Sequence, residues 1–448
     1  MKDPGTAALC QWIAKTGLAD LAEGALYEAR RAVYNWFGLV LHAAEDPAVR
    51  ITREWIRTLG GSGATAVGGV STAPVWAALV NGQAAHVEDF DDTHHATIIH
   101  PTAPIWPAVL AVAEQRGISG AEAVTAFVVG VEAAFRVGLA VFPSHYDRGH
   151  HITATAGGLG AAAAVARLLR LTPEQIGEAL GLASTSAAGL KGTFGSMAKA
   201  LHPGQAAMRG IEAGELAGRG FTSGNTGLES KLGFCQVLAD KHETAALAEG
   251  LGRRWLITEN AIKPFACGLV AHPAIDGALQ LRGQGLGPEQ VEAITLRVHP
   301  RTAELTANPS PRTGLEGKFS VQHSVAVALI DGRAGPQQYS DARVRDPEVT
   351  ALRNRVRLEV AQGSRLEEAE VIVTLRGGEE RRLHVPHSIG SLDYPLSDEQ
   401  LDDKVRDLLA DRRGVDPAEL RRQVYRLEGL ADVRPLCRLL GSGGQAVP

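Results

Sequence analysis

The sequence predicts a mainly α protein, in which a discontinuous all-helical domain carries an inserted α+β lid domain. Changes of pattern along the 448 residues lead to this fold class. Apolar residues recur every three or four positions up to residue 262, alternate with polar residues in parts of 263–394, and return to helical spacing in 395–448. Helices have a period of 3.6 residues and strands a period of two. The predicted helical domain therefore comprises 1–262 and 395–448, and the predicted lid domain comprises 263–394.

Helical spacing is most regular between residues 101 and 218. It predicts helices over 101–117, 119–141, 153–170, 172–188 and 196–218. Thr172 precedes Pro173 and is followed by Gln175, which is typical of a helix start with a capping threonine. The helices are rich in Ala and Gly, and such small residues let helix backbones approach closely. We therefore expect a tight bundle.

Strand patterns are confined to the region after residue 263. Val291–Val298 alternates apolar and polar residues, and 370–375 and 381–385 do the same on either side of a Gly-Gly pair, which predicts a hairpin. Helical stretches are expected at 316–331 and 346–358. A final helical region, 396–442, is expected to begin at Ser397, which two acidic residues follow.

Composition excludes several classes of protein. A net charge of −5, without a basic block, gives no electrostatic basis for binding nucleic acid or an anionic membrane. No window reaches the roughly 20 apolar residues of a membrane span, and the N-terminus lacks the apolar stretch of a signal peptide. The four cysteines are far apart and form no CxxC pair, which argues against disulfides and structural zinc. We expect a cytoplasmic protein.

Residues 86–100 are the most unusual stretch, since they contain four acidic residues and four histidines. If 82–93 is helical, Asp89 and Thr93 lie four residues apart and share a face. His100 directly precedes a proline that we expect to start the next helix. The cluster is interpreted as a proton-transfer site, with an orienting Asp, a Thr that binds substrate, and a His that acts as acid or base.

Two other interpretations of this cluster remain open. The acids could cap helices while the histidines lie on the surface. Alternatively, Asp91 and Asp92 could bind magnesium for isoprenoid diphosphate chemistry, because carboxylates are ligands for that ion. The magnesium pattern requires a third acid three residues beyond the pair, and His95 stands there. We therefore expect no metal.

Lysines in two further motifs could bind an anion. Lys199 and His202 are three residues apart and can share one helical face, where the lysine could hold a carboxylate or stabilise an enolate. Lys263 lies where the sequence pattern changes and could face an interdomain cleft, which is the usual position of an active site. The alternatives are a lysine that extends along the surface for Lys199 and a solvated hinge lysine for Lys263.

His151 and Thr153 precede an Ala-rich helix. Either residue could cap that helix or face the same pocket, and capping is the preferred interpretation for Thr153. The sequence contains no Walker loop, nucleophile elbow or zinc-protease motif, so no organic cofactor is expected.

Three motifs, in this order along the chain, resemble those of the MmgE/PrpD superfamily. They are Asn81-Gly followed by His86, Asp89-Phe-Asp-Asp-Thr93 and His100-Pro101; Phe194-Gly-Ser-Met with Lys199, His202 and Gly204; and Lys263-Pro-Phe with Cys267, His272 and Asp276. The resemblance covers essentially the whole chain. The superfamily includes 2-methylcitrate dehydratase, cis-aconitate decarboxylase and iminodisuccinate epimerase.

The resemblance implies a helical domain with an α+β lid, a homodimer, an interdomain active site and no required cofactor. Asp89, Thr93, His100, Lys199 and Lys263 match the family's active-site positions. The implied chemistry removes or delivers a proton next to a carboxylate while positive charge stabilises the anion. Lysine suits the charge, and histidine, with a pKa near neutrality, suits the proton transfer.

The sequence also departs from part of the family. Cis-aconitate decarboxylases carry a catalytic histidine where Gly268 stands, which argues against decarboxylation of cis-aconitate. His323 could supply a proton from the lid instead, or it could be a helix-surface histidine. His151, His202 and His323 are the candidate substrate-binding residues.

The predicted function is that of a lyase or isomerase of the dehydratase or epimerase type. It would abstract an α-proton from a small di- or tricarboxylate. A 2-methylcitrate dehydratase or cis-aconitate decarboxylase proper is the alternative within the family. Rivals from other classes are a magnesium-dependent isoprenoid enzyme and a non-enzymatic helical scaffold.

Overall fold

Helices dominate the computed structural model, which describes residues 4–224, 227–412 and 414–442. The helices up to residue 218 are α1 (Pro4–Lys15), α2 (Glu23–His42), α3 (Pro47–Arg57), α4 (Pro74–His86), α5 (Thr102–Arg116), α6 (Gly120–Val141), α7 (Ser144–Asp147), α8 (Ile152–Leu168), α9 (Pro173–Thr185) and α10 (Met197–Gly218). The five helices predicted between 101 and 218 are confirmed. Thr172 caps α9 and Gln175 reaches back to its amide, as expected.

The later helices are shorter. They are α11 (Phe234–Leu238), α12 (His272–Gly283), α13 (Pro300–Leu305), α14 (Gly314–Gly317), α15 (Val321–Asp331), α16 (Asp341–Val344), α17 (Pro347–Arg353), α18 (Asp398–Leu409), α19 (Pro417–Val424) and α20 (Arg434–Ser442). Ser397 caps α18 in a capping box with Gln400, so the predicted helix start is confirmed.

The strands of the described residues form three small sheets. They are β1 (Ala64–Ala66), β2 (Val70–Thr72), β3 (Asp92–His94), β4 (Asn260–Ile262), β5 (Val291–Val298), β6 (Val356–Val360), β7 (Ala369–Leu375) and β8 (Glu380–Val385). β1 pairs with β2 and β3 with β4, both antiparallel. The largest sheet has the order β6-β5-β7-β8, with β5 and β6 parallel and the other pairs antiparallel. The predicted strand Val291–Val298 and the β7–β8 hairpin are confirmed.

The helix expected over 346–358 is wrong in its second part. Helix α17 ends at Arg353, and Val356–Val360 is strand β6, which pairs with β5 in parallel register. The stretch alternates apolar and charged residues (Val, Arg, Leu, Glu and Val), and Val356 is buried in the hydrophobic cluster that lies against the largest sheet. Pairing with a strand some sixty residues earlier in the chain therefore decides its conformation.

Close helix packing depends on glycine. A Cβ at Gly82 of α4 would lie 2.8 Å from the Cα of Gly204 in α10, and one at Gly130 of α6 would lie 2.7 Å from the carbonyl oxygen of Gly160 in α8. These distances are too short for any side chain, so the expected tight bundle depends on glycine at both crossings.

Helix α6 corrects one sequence expectation. Its 22 residues are long and apolar enough to cross a membrane by length and composition alone, yet 94% of its most apolar window is buried inside the protein. Glu132 and Arg136 lie buried on this helix, 3.5 Å apart. The helix forms part of the core, which accounts for its apolar composition.

In the part of the chain that the structure describes, two hydrophobic clusters fill the interior. The larger one joins side chains from α1 through residue 262 to side chains between Leu396 and Leu440. The smaller one lies between the sheet, α12 and α15, and also takes in Leu39, Phe90 and Leu408. The mainly α prediction is confirmed, but the part before 263 is not all-helical, because it contains the short β1–β2 and β3–β4 pairs. The domain boundaries at 262 and 395 and the closing of a lid remain predictions.

Candidate active site

Pairing of β3 with β4 brings together two motifs that lie far apart in the sequence. Thr93 pairs with Ala261 and Asp92 pairs with Ile262. Lys263, the residue after β4, therefore lies beside the loop that precedes β3. Both strands are buried along their whole length. The ladder therefore fixes the position of one predicted lysine relative to the acidic cluster.

Asp89 is the centre of the polar cluster. Its Oδ1 accepts hydrogen bonds from the Nζ atoms of Lys199 and Lys263, each at 2.7 Å. Lys263 also donates to the carbonyl oxygens of Asp89, at 3.0 Å, and Cys267, at 3.2 Å. All three side chains are buried. One carboxylate thus holds two ammonium groups side by side. Both bonds are charge-assisted, and such hydrogen bonds are shorter and stronger than bonds between neutral groups.

The charge states follow from this geometry. Burial alone would raise the pKa of Asp89, but the positive charges of Lys199 and Lys263 hold it well below its usual value. Burial lowers the pKa of Lys199, and the attraction of Asp89 opposes that shift. The cluster is therefore a carboxylate with two cations and carries one excess positive charge.

Backbone strain accompanies the site. Asp89 has a φ of 50° and Ile98 a φ of 59°, both in the left-handed region. Aspartate tolerates this conformation, whereas a β-branched isoleucine rarely adopts it. The Ile98 amide donates to the carbonyl of His94 at 2.7 Å, which holds the tight turn that leads to His100. Such strain concentrates at functional sites.

His100 is oriented by oxygen atoms behind it. Its Nδ1 lies 3.0 Å from the carbonyl oxygen of Asp92, 3.1 Å from Oδ1 of Asp91 and 3.1 Å from Oγ1 of Thr93. A carbonyl oxygen can only accept, so Nδ1 carries the proton and Nε2 is the basic nitrogen of the neutral ring. Burial lowers the pKa of His100, although Asp91 opposes the shift. The ring is thus held ready to accept a proton.

Further imidazoles lie beside His100. The His86 ring meets it edge to face at 4.7 Å and stacks on His151 at 5.7 Å. Nδ1 of His151 and Nδ1 of His202 are 2.9 Å apart, so one ring donates to the other. Burial lowers the pKa of His202 to about 4 and that of His86 to about 3.

A cavity lies over this cluster. Its free space measures about 40 Å³. The lining residues are Asp89, Ile98, His100, Tyr146, His151, Phe194, Lys199, Lys263, Gly268, Leu269, Val270, Leu305, Thr306 and Phe319. Four predicted catalytic residues and one predicted substrate-binding residue therefore share one cavity, and Thr93 lies directly behind it, against His100.

The structure places two other predicted residues away from the cavity. His202 contacts His151 and does not itself line the space. His323 is fully buried in α15, where Nε2 lies 2.9 Å from the carbonyl oxygen of Gln338 and its ring meets Tyr339. It is neither a surface histidine nor part of the lining.

Two local expectations are wrong. The stretch 82–93 is not one helix, because α4 ends at His86 and β3 begins at Asp92. Asp89 and Thr93 therefore meet through the loop and the β3–β4 ladder rather than on a helical face. Thr153 does not cap α8, since its hydroxyl accepts the backbone amide of His100 at 3.1 Å.

The structure also identifies supporting residues that the sequence did not single out. Lys404 of α18 is buried and donates to the carbonyl oxygens of Phe90, at 2.7 Å, and Lys263, at 2.8 Å. It thereby ties together the segments that carry Asp89 and Lys263. Tyr146 lines the cavity. A lysine that sits over 140 residues away from its nearer partner gives no sequence signal.

A metal ion is the remaining alternative for the cluster. Ligand atoms of His86, Asp89, Asp91 and His100 lie within 4.8 Å of one another. Two lysine ammonium groups already bind Asp89, and their charge opposes a divalent cation at the same oxygen. The acidic cluster is thus paired with lysine and histidine side chains.

Comparison with known proteins identifies the family. The sequence model of the MmgE/PrpD N-terminal domain matches residues 7–246, and that of the MmgE/PrpD C-terminal domain matches residues 265–427. The chain belongs to the MmgE/PrpD family. The resemblance found in the sequence motifs is thereby confirmed, and so is the prediction of an enzyme of this type.

Curated relatives of this MmgE/PrpD protein are lyases by name. Cis-aconitate decarboxylase from Homo sapiens is 27% identical over 94% of this chain and 92% of its own. The Aspergillus terreus cis-aconitate decarboxylase is 27% identical over 97% of this chain and 95% of its own. A 2-methylcitrate dehydratase from Cupriavidus necator is 31% identical over 19% of each chain. A lyase-type function is supported at this level.

Proposed function

We propose that the protein is a cofactor-independent lyase or isomerase that abstracts an α-proton from a small carboxylic acid with more than one carboxylate. The observation that carries the proposal is the meeting of Lys199, Lys263 and the basic Nε2 side of His100 around one cavity. A base and two cations are the groups that this chemistry requires.

The proposed reaction begins with proton transfer. Nε2 of His100 takes the proton next to a substrate carboxylate, and the electron pair moves into that carboxylate, which becomes an enolate dianion. The ammonium groups of Lys199 and Lys263 stabilise the added negative charge. Return of a proton to the other face gives epimerisation. Loss of a β-hydroxyl group, which leaves as water after it takes up a proton, gives dehydration.

Gly268 favours these outcomes over decarboxylation. It lines the cavity and has no side chain to donate a proton. A Cβ there would lie 3.0 Å from Cγ2 of Thr306, so a larger side chain would need a shift of the neighbouring segment. A decarboxylase must protonate the carbon that loses carbon dioxide. The family's decarboxylase and 2-methylcitrate dehydratase activities remain the alternatives.

Substrate entry would require an opening movement. A free space of about 40 Å³ holds only a few water molecules, and a dicarboxylate is larger. Its lining residues come from 89–199 and from 263–319. We propose that the 263–394 part acts as the lid, and that the protein works as a cytoplasmic homodimer.

Proton exchange in D₂O tests the proposal. Incubation with a panel of di- and tricarboxylates, followed by ¹H NMR, should reveal loss of one α-proton signal from at least one acid. His100→Asn should abolish exchange, because the amide can still donate to the Asp92 carbonyl but provides no base. His384→Asn, on exposed strand β8, is the matched control. Absence of exchange for every acid would refute the proposal.

Chelation separates the magnesium alternative from the proposed chemistry. Exhaustive treatment with EDTA should leave the exchange rate unchanged, whereas loss of activity that magnesium restores would favour a metal enzyme. A scaffold without enzymatic function would neither exchange protons nor bind any acid of the panel.

A further inference from the structure

The lining of the cavity differs in chemistry along the chain. Residues before 264 supply all of its charged groups and most of its polar groups, namely Asp89, His100, Tyr146, His151, Lys199 and Lys263, together with the apolar Ile98 and Phe194. Residues after 264 supply Gly268, Leu269, Val270, Leu305, Thr306 and Phe319, none of which is charged, and these six residues are termed the apolar side. A bound molecule would therefore meet every charged group of the lining on residues before 264.

The charge of the lining is low. It contains two lysine ammonium groups and one aspartate carboxylate, and hence one net positive charge when the histidines are neutral. Burial lowers the pKa of both His100 and His151, which keeps their rings neutral near pH 7. A substrate with three carboxylates would thus enter a site with a single excess positive charge.

Three cations close to the cavity are each paired with a carboxylate outside the lining. The pairs are Lys191 with Glu304 at 3.1 Å, Arg301 with Asp147 at 3.0 Å, and Lys318 with Glu88 at 2.9 Å. Recruitment of Lys191 or Arg301 would take from Glu304 or Asp147 the ion pair that it has here.

Thr306 and Gly268 add no polar contact on the apolar side. The Thr306 hydroxyl donates to the carbonyl of Thr302 at 2.9 Å, and its Cγ2 faces the space beside Gly268. Lys318 also donates to the carbonyl of Ala266, at 3.2 Å, and so is fully engaged. A carboxylate placed against Leu269 and Leu305 would find no donor among the described lining side chains there.

We propose that the substrate is a dicarboxylate whose remaining substituent is a hydrocarbon group, and that tricarboxylates are excluded. This inference rests on the proposed function and assigns the substrate class of the same site. The carboxylates would contact the lysines and the phenol and imidazole groups, and the alkyl group would pack on Leu269, Val270 and Leu305. Burial of a carboxylate without a partner is costly, whereas burial of a methyl group is favourable.

Two acids of matched size test this preference by isothermal titration calorimetry. Tricarballylate carries a terminal carboxylate where 2-ethylsuccinate carries a methyl group. The wild-type protein should bind 2-ethylsuccinate at least about tenfold more tightly, since an unpaired buried carboxylate costs more than 1.4 kcal/mol. Equal affinity, tighter binding of tricarballylate, or no binding of either acid would overturn the proposal.

A charged substitution on the apolar side provides the second measurement. Leu305 is half-buried at the end of α13, so a longer side chain has room to extend. Leu305→Arg should shift the preference toward tricarballylate by at least about tenfold, because a guanidinium can pair with its third carboxylate. Leu305→Met introduces an unbranched side chain without a charge, so it should keep the wild-type preference for 2-ethylsuccinate over tricarballylate. An unchanged preference in Leu305→Arg would also overturn the proposal.

The outcomes separate this inference from the proposed function. If tricarboxylates exchange an α-proton in D₂O and bind more tightly than their alkyl analogues, the substrate class is wrong and the proton-transfer function stands. If no acid exchanges a proton, the proposed function itself fails.

Discussion

Replacement of Lys199 by methionine gives the sharpest test of the charge arrangement. The variant removes one of two ammonium groups that lie 2.7 Å from Oδ1 of Asp89, and the net formal charge of the lining falls from one to zero. Loss of one donor that stabilises a developing anion typically lowers kcat by about 10²–10³-fold, or about 2.7–4 kcal/mol. We expect a loss of at least about 100-fold.

The fold should tolerate this substitution better than its counterpart at Lys263. In Lys199→Met, Asp89 keeps its hydrogen bond to Lys263, so no buried carboxylate is left unpaired. An unpaired buried charge would cost about 3–5 kcal/mol. Lys263→Met would also remove the donor to the carbonyls of Asp89 and Cys267 and so mix structural with chemical effects. Lys199 is therefore the cleaner probe, although both variants should be severely impaired.

The assay is the initial rate of α-proton exchange in D₂O with an acid that the wild-type protein accepts. Circular dichroism should show an unchanged fold. Lys231→Met is the matched control, because Lys231 is exposed and does not line the cavity. It should retain most activity. A Lys199→Met rate within about fivefold of the wild-type rate, well short of the loss expected for one donor, would remove this lysine from the mechanism.

Other predictions concern pH, support of the site and packing. Activity requires a neutral His100, and burial holds the pKa of its ring below 6.5. We therefore expect kcat/KM to fall with decreasing pH only below 6.5. A midpoint above 6.5 would contradict His100 as the base. On the alkaline side, the lowered pKa of Lys199 should place the midpoint below 10.5. Lys404→Met leaves the carbonyls of Phe90 and Lys263 without this donor. Urea denaturation should show that the free energy of unfolding falls by about 1–3 kcal/mol, and kcat should fall as well. A wild-type kcat would exclude a positioning role for Lys404. Gly204→Ala puts a Cβ 2.1 Å from the carbonyl oxygen of Leu79, so the free energy of unfolding should fall by about 1–3 kcal/mol or more; Gly283→Ala, with open space around it, is the control and should be neutral or stabilising.

Regular helices were predictable because their signals are local. The spacing predicted 119–141 and 196–218, and the structure has Gly120–Val141 and Met197–Gly218. Capping by Thr172 depends on residues within three positions of it. Hydrophobic period and capping chemistry both act within a few residues, so the sequence contains them directly.

The 86–100 stretch was not predictable in its conformation. Its backbone depends on β4, on Lys263 and on Lys404, which are over 160 residues away from it. The helical alternative for 82–93 satisfied local rules, but pairing between distant strands and a lysine from α18 outweighed them. The position of His323 was not predictable either, since its partner is the carbonyl of Gln338, 15 residues further along the chain.

By itself, the sequence determined that the protein is mainly α, where the principal helices and the β7–β8 hairpin lie, and which residue types could transfer a proton. Only the tertiary structure decided that Lys199, Lys263 and His100 share a cavity, that Nε2 of His100 is its basic nitrogen, and that the lining residues after 264 carry no charge. The physical reason is range. Periodicity and capping act over a few residues, whereas charges and hydrogen bonds at the site join segments whose separation in sequence carries no information about their distance in space.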